Sequence, residues 1–292
     1  MSIGRHLPAP LKAKLRTWRK QARSAALRRF FAFDSKQLVE ALHGLGIRAG
    51  DAVVVHSSYA AFEGFTGRSY ETVQALQAAV GEEGTLLMPT MPFGGSALEY
   101  VQSGKVTDIA RTPSSMGLLT EILRRSPGAT RSIHPTHPVA ALGRQAVELT
   151  ADHYQALTPC GKNSPFHRLL EAGGKILLAG VDIRSMTFFH YVEEVLEPEM
   201  PFSPFTPEWF DIPTRGPGGQ VFRTRTRLYD PVISSRRDTR LMIEPLKRAG
   251  FWHEGTVGRL NLIVLSAAEV LGTLQAMSRD RKYCYLERRS AP

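Results

Sequence analysis

His190 and Glu193, in Thr187-Phe188-Phe189-His190-Tyr191-Val192-Glu193, are the residues whose types and spacing best suit chemistry. Residues 187–196 read as a helix, and a three-residue step on a helix puts both side chains on one face, within reach of each other. An imidazole near neutral pH can take a proton from an amine or alcohol. A carboxylate on its other ring nitrogen fixes the tautomer and stabilises the imidazolium. The same spacing also fits a surface histidine beside an ordinary helix carboxylate. Position favours a site, because the segment follows a buried strand, and ligands of α/β proteins gather beyond the C-terminal ends of strands.

Other segments carry weaker signals. His134 and His137 bracket Pro135-Thr136, but no H-E-x-x-H, H-x-H or paired carboxylate accompanies them, so no metal is expected. His56-Ser57-Ser58 follows a strand, where its amides and hydroxyls could bind a polar ligand or simply cap a turn. Thr112-Pro113-Ser114-Ser115 opens an expected helix and could hold a phosphate or act as an N-cap. There is no P-loop, no G-x-G-x-x-G and no G-x-S-x-G, so nucleotide hydrolysis, Rossmann chemistry and serine hydrolysis lose their usual support.

The elements that must position these residues are legible from periodicity. Ala52–His56, Thr85–Met88 and Lys175–Gly180 are short apolar runs bounded by turns, hence buried strands. Asp34 or Ser35 caps a helix over 36–44. Residues 70–80 form a helix with Val73, Leu76 and Val80 inward. Pro113 opens another helix, with Met116, Leu119 and Leu123 inward. Helices are also expected over 144–153, 165–172, 241–249 and 266–277, with a strand within 257–265. Residues 91–112 read as a loop, and 198–235 as loops and antiparallel strands. Helices alternating with buried strands define an α/β class.

Composition excludes several functions. The 292 residues, 42% hydrophobic and 22% charged, suit a soluble globular chain with one sizeable core. No apolar run approaches the roughly 20 residues that span a bilayer, and the N-terminus lacks a secretory apolar core. Cys160 and Cys284 make no disulfide framework, so a cytoplasmic location is expected. The net charge of +10 is local: nine of the 37 Lys and Arg lie in residues 1–29, which hold no acid. That leaves 28 bases against all 27 acids, about +1, for the rest. Leu11, Leu15, Trp18, Ala22 and Ala25 give this basic segment a narrow apolar stripe. A basic amphipathic arm (1–34) therefore precedes a single α/β domain (35–292). The arm either packs on the body or attaches, peripherally, to an anionic membrane surface or acidic partner. No specific nucleic-acid module is present.

Taken in order, several segments resemble the aminoglycoside 3-N-acetyltransferase (antibiotic N-acetyltransferase) family, distinct from the GNAT fold. They are Val55-His56-Ser57-Ser58, Gly84-Thr85-Leu86-Leu87-Met88-Pro89, Arg111-Thr112-Pro113-Ser114-Ser115-Met116-Gly117, Ser132-Ile133-His134-Pro135, Gly161-Lys162-Asn163-Ser164-Pro165 and Thr187…His190…Glu193. The resemblance implies one domain with a central mixed sheet flanked by helices. It implies direct acetyl transfer from acetyl-CoA, without a metal, to an amine of an amino sugar. His190 would be the general base and Glu193 its orienting carboxylate, with His134 near the transfer centre. Ser57, Ser58, Thr112 and Ser114 would line the CoA site. Drug-modifying members often carry Asp six residues before the histidine; here that residue is Arg184, which could bind an anion on a different acceptor or pair with Asp182. Pro138 replaces a frequent Ser. Two alternatives stay open: an idle binding or scaffold protein on the same fold, and an enzyme using another acyl-CoA.

Overall fold

A computed structural model of the chain describes Trp18 and residues 30–286. The expected arm helix therefore lies almost entirely outside the described residues. Phe33 belongs to the body: it is buried, and its N–H bonds the Gly64 carbonyl at 3.1 Å.

The first half of the chain runs α1 (Ser35–Gly44), β1 (Ala52–Ser57), α2 (Ser69–Val80), β2 (Thr85–Pro89), α3 (Ala97–Gln102) and β3 (Thr107–Asp108). It continues through α4 (Leu118–Arg125), β4 (Thr130–Arg131), β5 (Val139–Gly143) and α5 (Ala146–Thr150). The second half comprises α6 (Pro165–Glu171), β6 (Lys175–Ala179), α7 (Phe188–Leu196), β7 (Phe210–Arg215) and β8 (Val221–Thr226). It ends with α8 (Pro231–Ser234), α9 (Ile243–Arg248), β9 (His253–Val257), β10 (Leu260–Ser266) and α10 (Ala267–Arg279).

Seven strands form one mixed sheet in the order β4-β5-β2-β1-β6-β10-β9. Its centre, β2-β1-β6, is parallel, and β5 and β10 flank it antiparallel. Alternate side chains divide the core. Ala52, Val54, Ile176, Leu178 and Leu265 face α6, α7 and α10, while Val53, Val55, Leu177 and Val264 face α1, α2 and α4. A sheet covered on both faces needs apolar residues at consecutive positions, which is why its strands read as unbroken runs. Each such side chain contributes about 1.5–3 kcal/mol on burial. A second sheet of three strands, β3-β7-β8, buries Thr107, Thr214 and Thr224, and Thr107 bonds the Pro135 carbonyl, beside His134, at 2.5 Å.

The expected α/β class and mixed sheet hold, and three local expectations change. The helix opened by Pro113 begins only at Leu118. Ser114 Oγ accepts the Met116 N–H at 3.1 Å, and Gly117, at φ +112°, turns the chain before the helix can start. The loop 91–112 contains α3, capped by Ser96, and the short β3. The strand expected within 257–265 is half of a hairpin turning at Gly258; β9 is mostly exposed and has no apolar face to reveal it. No described helix is long and apolar enough to cross a membrane.

Candidate active site

The parallel strands β1, β2 and β6 all end on one side of the main sheet, and a cleft of about 320 Å³ opens there. Val55, His56 and Ser57 come from the end of β1, and Pro89 and Met91 from the end of β2. Val181, Arg184 and Thr187 come from the turn after β6, and Met116 and Thr120 from the start of α4. His190, in the first turn of α7, lines the same cleft. Gly180 makes the turn after β6 possible. It adopts φ +68°, and a side chain there would meet Ala61 Cβ at 2.2 Å.

His190 Nδ1 lies 2.6 Å from Glu193 Oε1. A carboxylate only accepts, so Nδ1 carries the proton and Nε2 is the nitrogen left for a ligand. Glu193 is almost wholly buried, and Arg237 grips it with two bonds, Nη2–Oε1 at 2.8 Å and Nε–Oε2 at 3.0 Å. The Tyr285 hydroxyl donates to Oε2 as well. Burial alone would raise the Glu193 pKa, but the His190 hydrogen bond, the Arg237 cation and Tyr285 together hold it below the ordinary carboxylate value. Burial and the Arg237 charge lower the His190 pKa, and Glu193 only partly opposes them. The result is an ionised carboxylate holding a neutral imidazole, the form a proton acceptor needs.

Aromatic rings fix the imidazole plane. Tyr229 stacks on His190 with ring centroids 4.7 Å apart, and Phe205 stacks on Tyr229 at 5.2 Å. The Tyr229 hydroxyl bonds Glu194, a buried carboxyl whose pKa is pushed up to about 8, chiefly by desolvation.

His134, His137 and His153 lie behind the cleft, and burial holds each below the ordinary histidine pKa. The His153 Nε2 proton goes to the Pro159 carbonyl at 3.0 Å, so its Nδ1 accepts from Ser132 Oγ at 2.8 Å. Burial, partly offset by that carbonyl, pushes its pKa down to about 4. His134 Nδ1 accepts the His137 N–H at 3.0 Å, which leaves a buried Nε2–H without a partner among the described residues. His134 stacks on His153 at 4.4 Å and reaches His190 only through His137, whose ring stands 6.2 Å from each. His134 is therefore one ring removed from His190, with His137 between. His56 Nε2 is buried and unpartnered as well, and burial, then the nearby His190, pushes its pKa down to about 3. Among the described residues, no group of three or more His, Cys, Asp or Glu side chains is arranged to hold a metal ion.

The remaining candidates divide. Ser57 lines the cleft, while Ser58 follows it with its N–H on the Ala179 carbonyl at 3.2 Å. Thr112 Oγ1 accepts the Asp108 N–H at 2.8 Å. The Ser114 N–H bonds Glu121 Oε1 at 2.6 Å, so a carboxylate already occupies the amide that a phosphate would use. Arg184 lines the cleft but spends its guanidinium on Asp182, with Nε–Oδ2 at 2.9 Å. The pairing with Asp182, one of its two expected roles, is present. Sequence reasoning missed Arg237, Tyr285 and Tyr229, which lie 44, 92 and 39 residues from the helix positions they serve. A larger groove of about 1270 Å³ lies behind the pair, near Phe202, Arg248 and Tyr283. Neither His190 nor the ends of β1 and β2 reach it.

Residues 54–278 match the sequence profile of the aminoglycoside 3-N-acetyltransferase family. Aminoglycoside N(3)-acetyltransferase III of Serratia marcescens is 31% identical over 256 residues, covering 79% of this chain and 91% of that protein. Among solved structures, aminoglycoside acetyltransferase AAC(3)-Xa superposes with a TM-score of 0.74 at 24% identity, covering 90% of this chain and 99% of that one. AAC-IIIb, solved as a binary complex with CoASH, superposes at 0.71 with 23% identity, covering 87% and 99%. The chain belongs to the aminoglycoside 3-N-acetyltransferase family, and is an N-acetyltransferase.

Proposed function

We propose that this protein transfers acetyl from acetyl-CoA directly to an amine of an amino sugar, with His190 as general base and Glu193 as its orienting carboxylate. The observation that carries this reading is the 2.6 Å Nδ1–Oε1 contact at the mouth of the cleft. Bound acetyl-CoA would supply a thioester carbonyl carbon for the amine to attack. His190 Nε2 accepts the amine proton as the C–N bond forms, and returns it to the thiolate sulfur as the C–S bond breaks. Glu193 stabilises the imidazolium between those events. A direct transfer needs no side-chain nucleophile. The cleft suits a slender amide-bearing arm: polar and apolar side chains share its walls, and the Ser57 and Thr187 hydroxyls and the unpartnered His56 Nε2 are available for polar contacts. Thr112 and Ser114 would act through their loop, as supports for the Met116 and Thr120 wall. His134 would act one layer back, holding His137 behind the base.

The acceptor class follows from the family, whose named relative acts on an aminoglycoside. A role for Arg184 in binding an anionic acceptor would require the ligand to share a guanidinium already engaged by Asp182. Turnover with acetyl-CoA and a panel of aminoglycosides and nucleotide-linked amino sugars tests the proposal. Acetyl-CoA consumption with one class, abolished in His190→Ala, is expected. No consumption with any amine, together with no thermal stabilisation by acetyl-CoA, would favour an idle binding protein; consumption of only a longer acyl-CoA would correct the donor.

A further inference from the structure

We infer that Arg237, backed by Tyr285, is a positioning residue that clamps the ionised Glu193 carboxylate against His190 Nδ1. The inference rests on His190 acting as the base. Glu193 has two oxygens, and both are doubly engaged. Oε1 meets His190 Nδ1 and Arg237 Nη2, and Oε2 meets Arg237 Nε and the Tyr285 hydroxyl. A guanidinium fork on one side and a hydroxyl on the other leave the carboxylate no rotation that keeps its bonds. A lysine, with a point charge and no fork, could not hold both oxygens in this way.

Arg237 is itself fixed. Its guanidinium carbon lies 5.5 Å from the Tyr229 ring centre, 5.9 Å from Phe189 and 5.9 Å from Tyr285. Tyr229 is the ring stacked on His190, so Arg237 packs against a support of each member of the pair. Its backbone forms a bridge with Tyr285, flanked by Asp238 N–H on the Cys284 carbonyl and Leu286 N–H on the Arg236 carbonyl, both 2.8 Å. Arg237 does not line the cleft. It acts through Glu193 rather than on a ligand.

The cation also has a sign. It favours ionised Glu193 and disfavours protonated His190. The groups that face His190 are Glu193 from its own helix, His56 from β1, His137 from the loop before β5, Tyr229 and Arg237. His56 and His137 are neutral above mildly acidic pH, so Arg237 is the cation whose loss would change the base.

The experiment compares full-length Arg237→Gln, Arg237→Lys, Tyr285→Phe and His190→Ala with the wild type. It follows kcat, KM for acetyl-CoA and the pH dependence of kcat/KM, using an amine the wild type acetylates. For Arg237→Gln, kcat should fall about 10- to 100-fold, the usual cost of losing an outer partner of a functional histidine. KM for acetyl-CoA should stay within about twofold, because uniform binding is untouched. The acid limb should move to higher pH. Arg237→Lys should restore the limb but not the full kcat, and Tyr285→Phe should show a smaller loss. An Arg237→Gln enzyme with wild-type kcat, or with reduced kcat and an unmoved acid limb, would overturn the inference. Should Arg237→Gln fail to fold, a wild-type kcat in both Tyr285→Phe and Arg237→Lys would overturn it equally. If His190→Ala retains full turnover, the base assignment fails instead. If His190→Ala is inactive while the clamp variants behave as wild type, the clamp alone fails.

Discussion

The two walls of the cleft are built on opposite plans. Behind His190, every polar atom of Glu193 is bonded, the charges are paired, and stacked rings fix the planes. Opposite it, the wall from β1, β2 and α4 carries small hydroxyls and apolar side chains, with the His56 Nε2 left without a partner. Buried polar groups are ordinarily satisfied, and a few left open beside a cleft mark where a ligand supplies the missing bonds. A proton acceptor needs a fixed environment before a substrate arrives. A binding wall needs the reverse, because groups already satisfied have nothing to offer.

Breaking the rigid wall should have the largest effects. His190→Ala should lower kcat by about 10²- to 10⁴-fold while far-ultraviolet circular dichroism stays unchanged. Near-normal turnover would remove the base from the mechanism. Glu193→Gln should reduce both rate and stability, because it leaves the Arg237 cation buried beside a neutral amide. A loss of about 3–5 kcal/mol in urea unfolding is expected from breaking a buried pair. A stable, slow variant would separate orientation from folding.

Acid should weaken the fold through buried histidines on both sides of the cleft. His56 and His153 have folded pKa values pushed down to about 3 and 4, below the ordinary 6.5 of the unfolded chain. As pH falls below 6.5, the unfolded state binds protons that the folded state refuses, so stability declines until the folded values are reached. Each such histidine contributes about 1.4 kcal/mol per pH unit in that window. Urea midpoints between pH 7 and 4 measure the slope, and a flat profile would mean that these rings are hydrated.

The open wall should respond differently. Ser57→Ala should raise KM for acetyl-CoA by a few-fold, as expected when one hydrogen bond worth about 0.5–1.5 kcal/mol is lost, with kcat kept. A change in kcat alone would place Ser57 with the rigid wall. Arg184→Ala should have the smallest effect, within about twofold on any neutral or cationic acceptor, because Arg184 is paired with Asp182 at the surface. A large and selective loss with an anionic amino sugar would sharpen its role.

Local patterns carried much of this arrangement. The consecutive apolar runs of β1, β2 and β6 announced a sheet covered on both faces. Asp34 announced α1, where it accepts the Gln37 N–H at 2.9 Å. The i, i+3 step brought His190 to Glu193. What stayed hidden was set by contacts between distant segments. Nothing local marks Arg237 among the basic residues of 236–240, or Tyr285 near the last helix, as partners of Glu193. Thr112 and Ser114 looked like a ligand cradle because hydroxyls before a helix suit either use. Only the position of the Glu121 side chain distinguishes a filled turn from an open one.

The bridge between Arg237 and Tyr285 has a temporal meaning as well. During synthesis, the base and its carboxylate emerge together, long before the two side chains that steady them. Until residue 285 has left the ribosome, Glu193 lacks a tyrosine partner and the strand-like pairing behind Arg237 cannot form. The nascent chain therefore carries its base and carboxylate before their full support, and the shell around Glu193 closes only when residues 284–286 pair with 236–238.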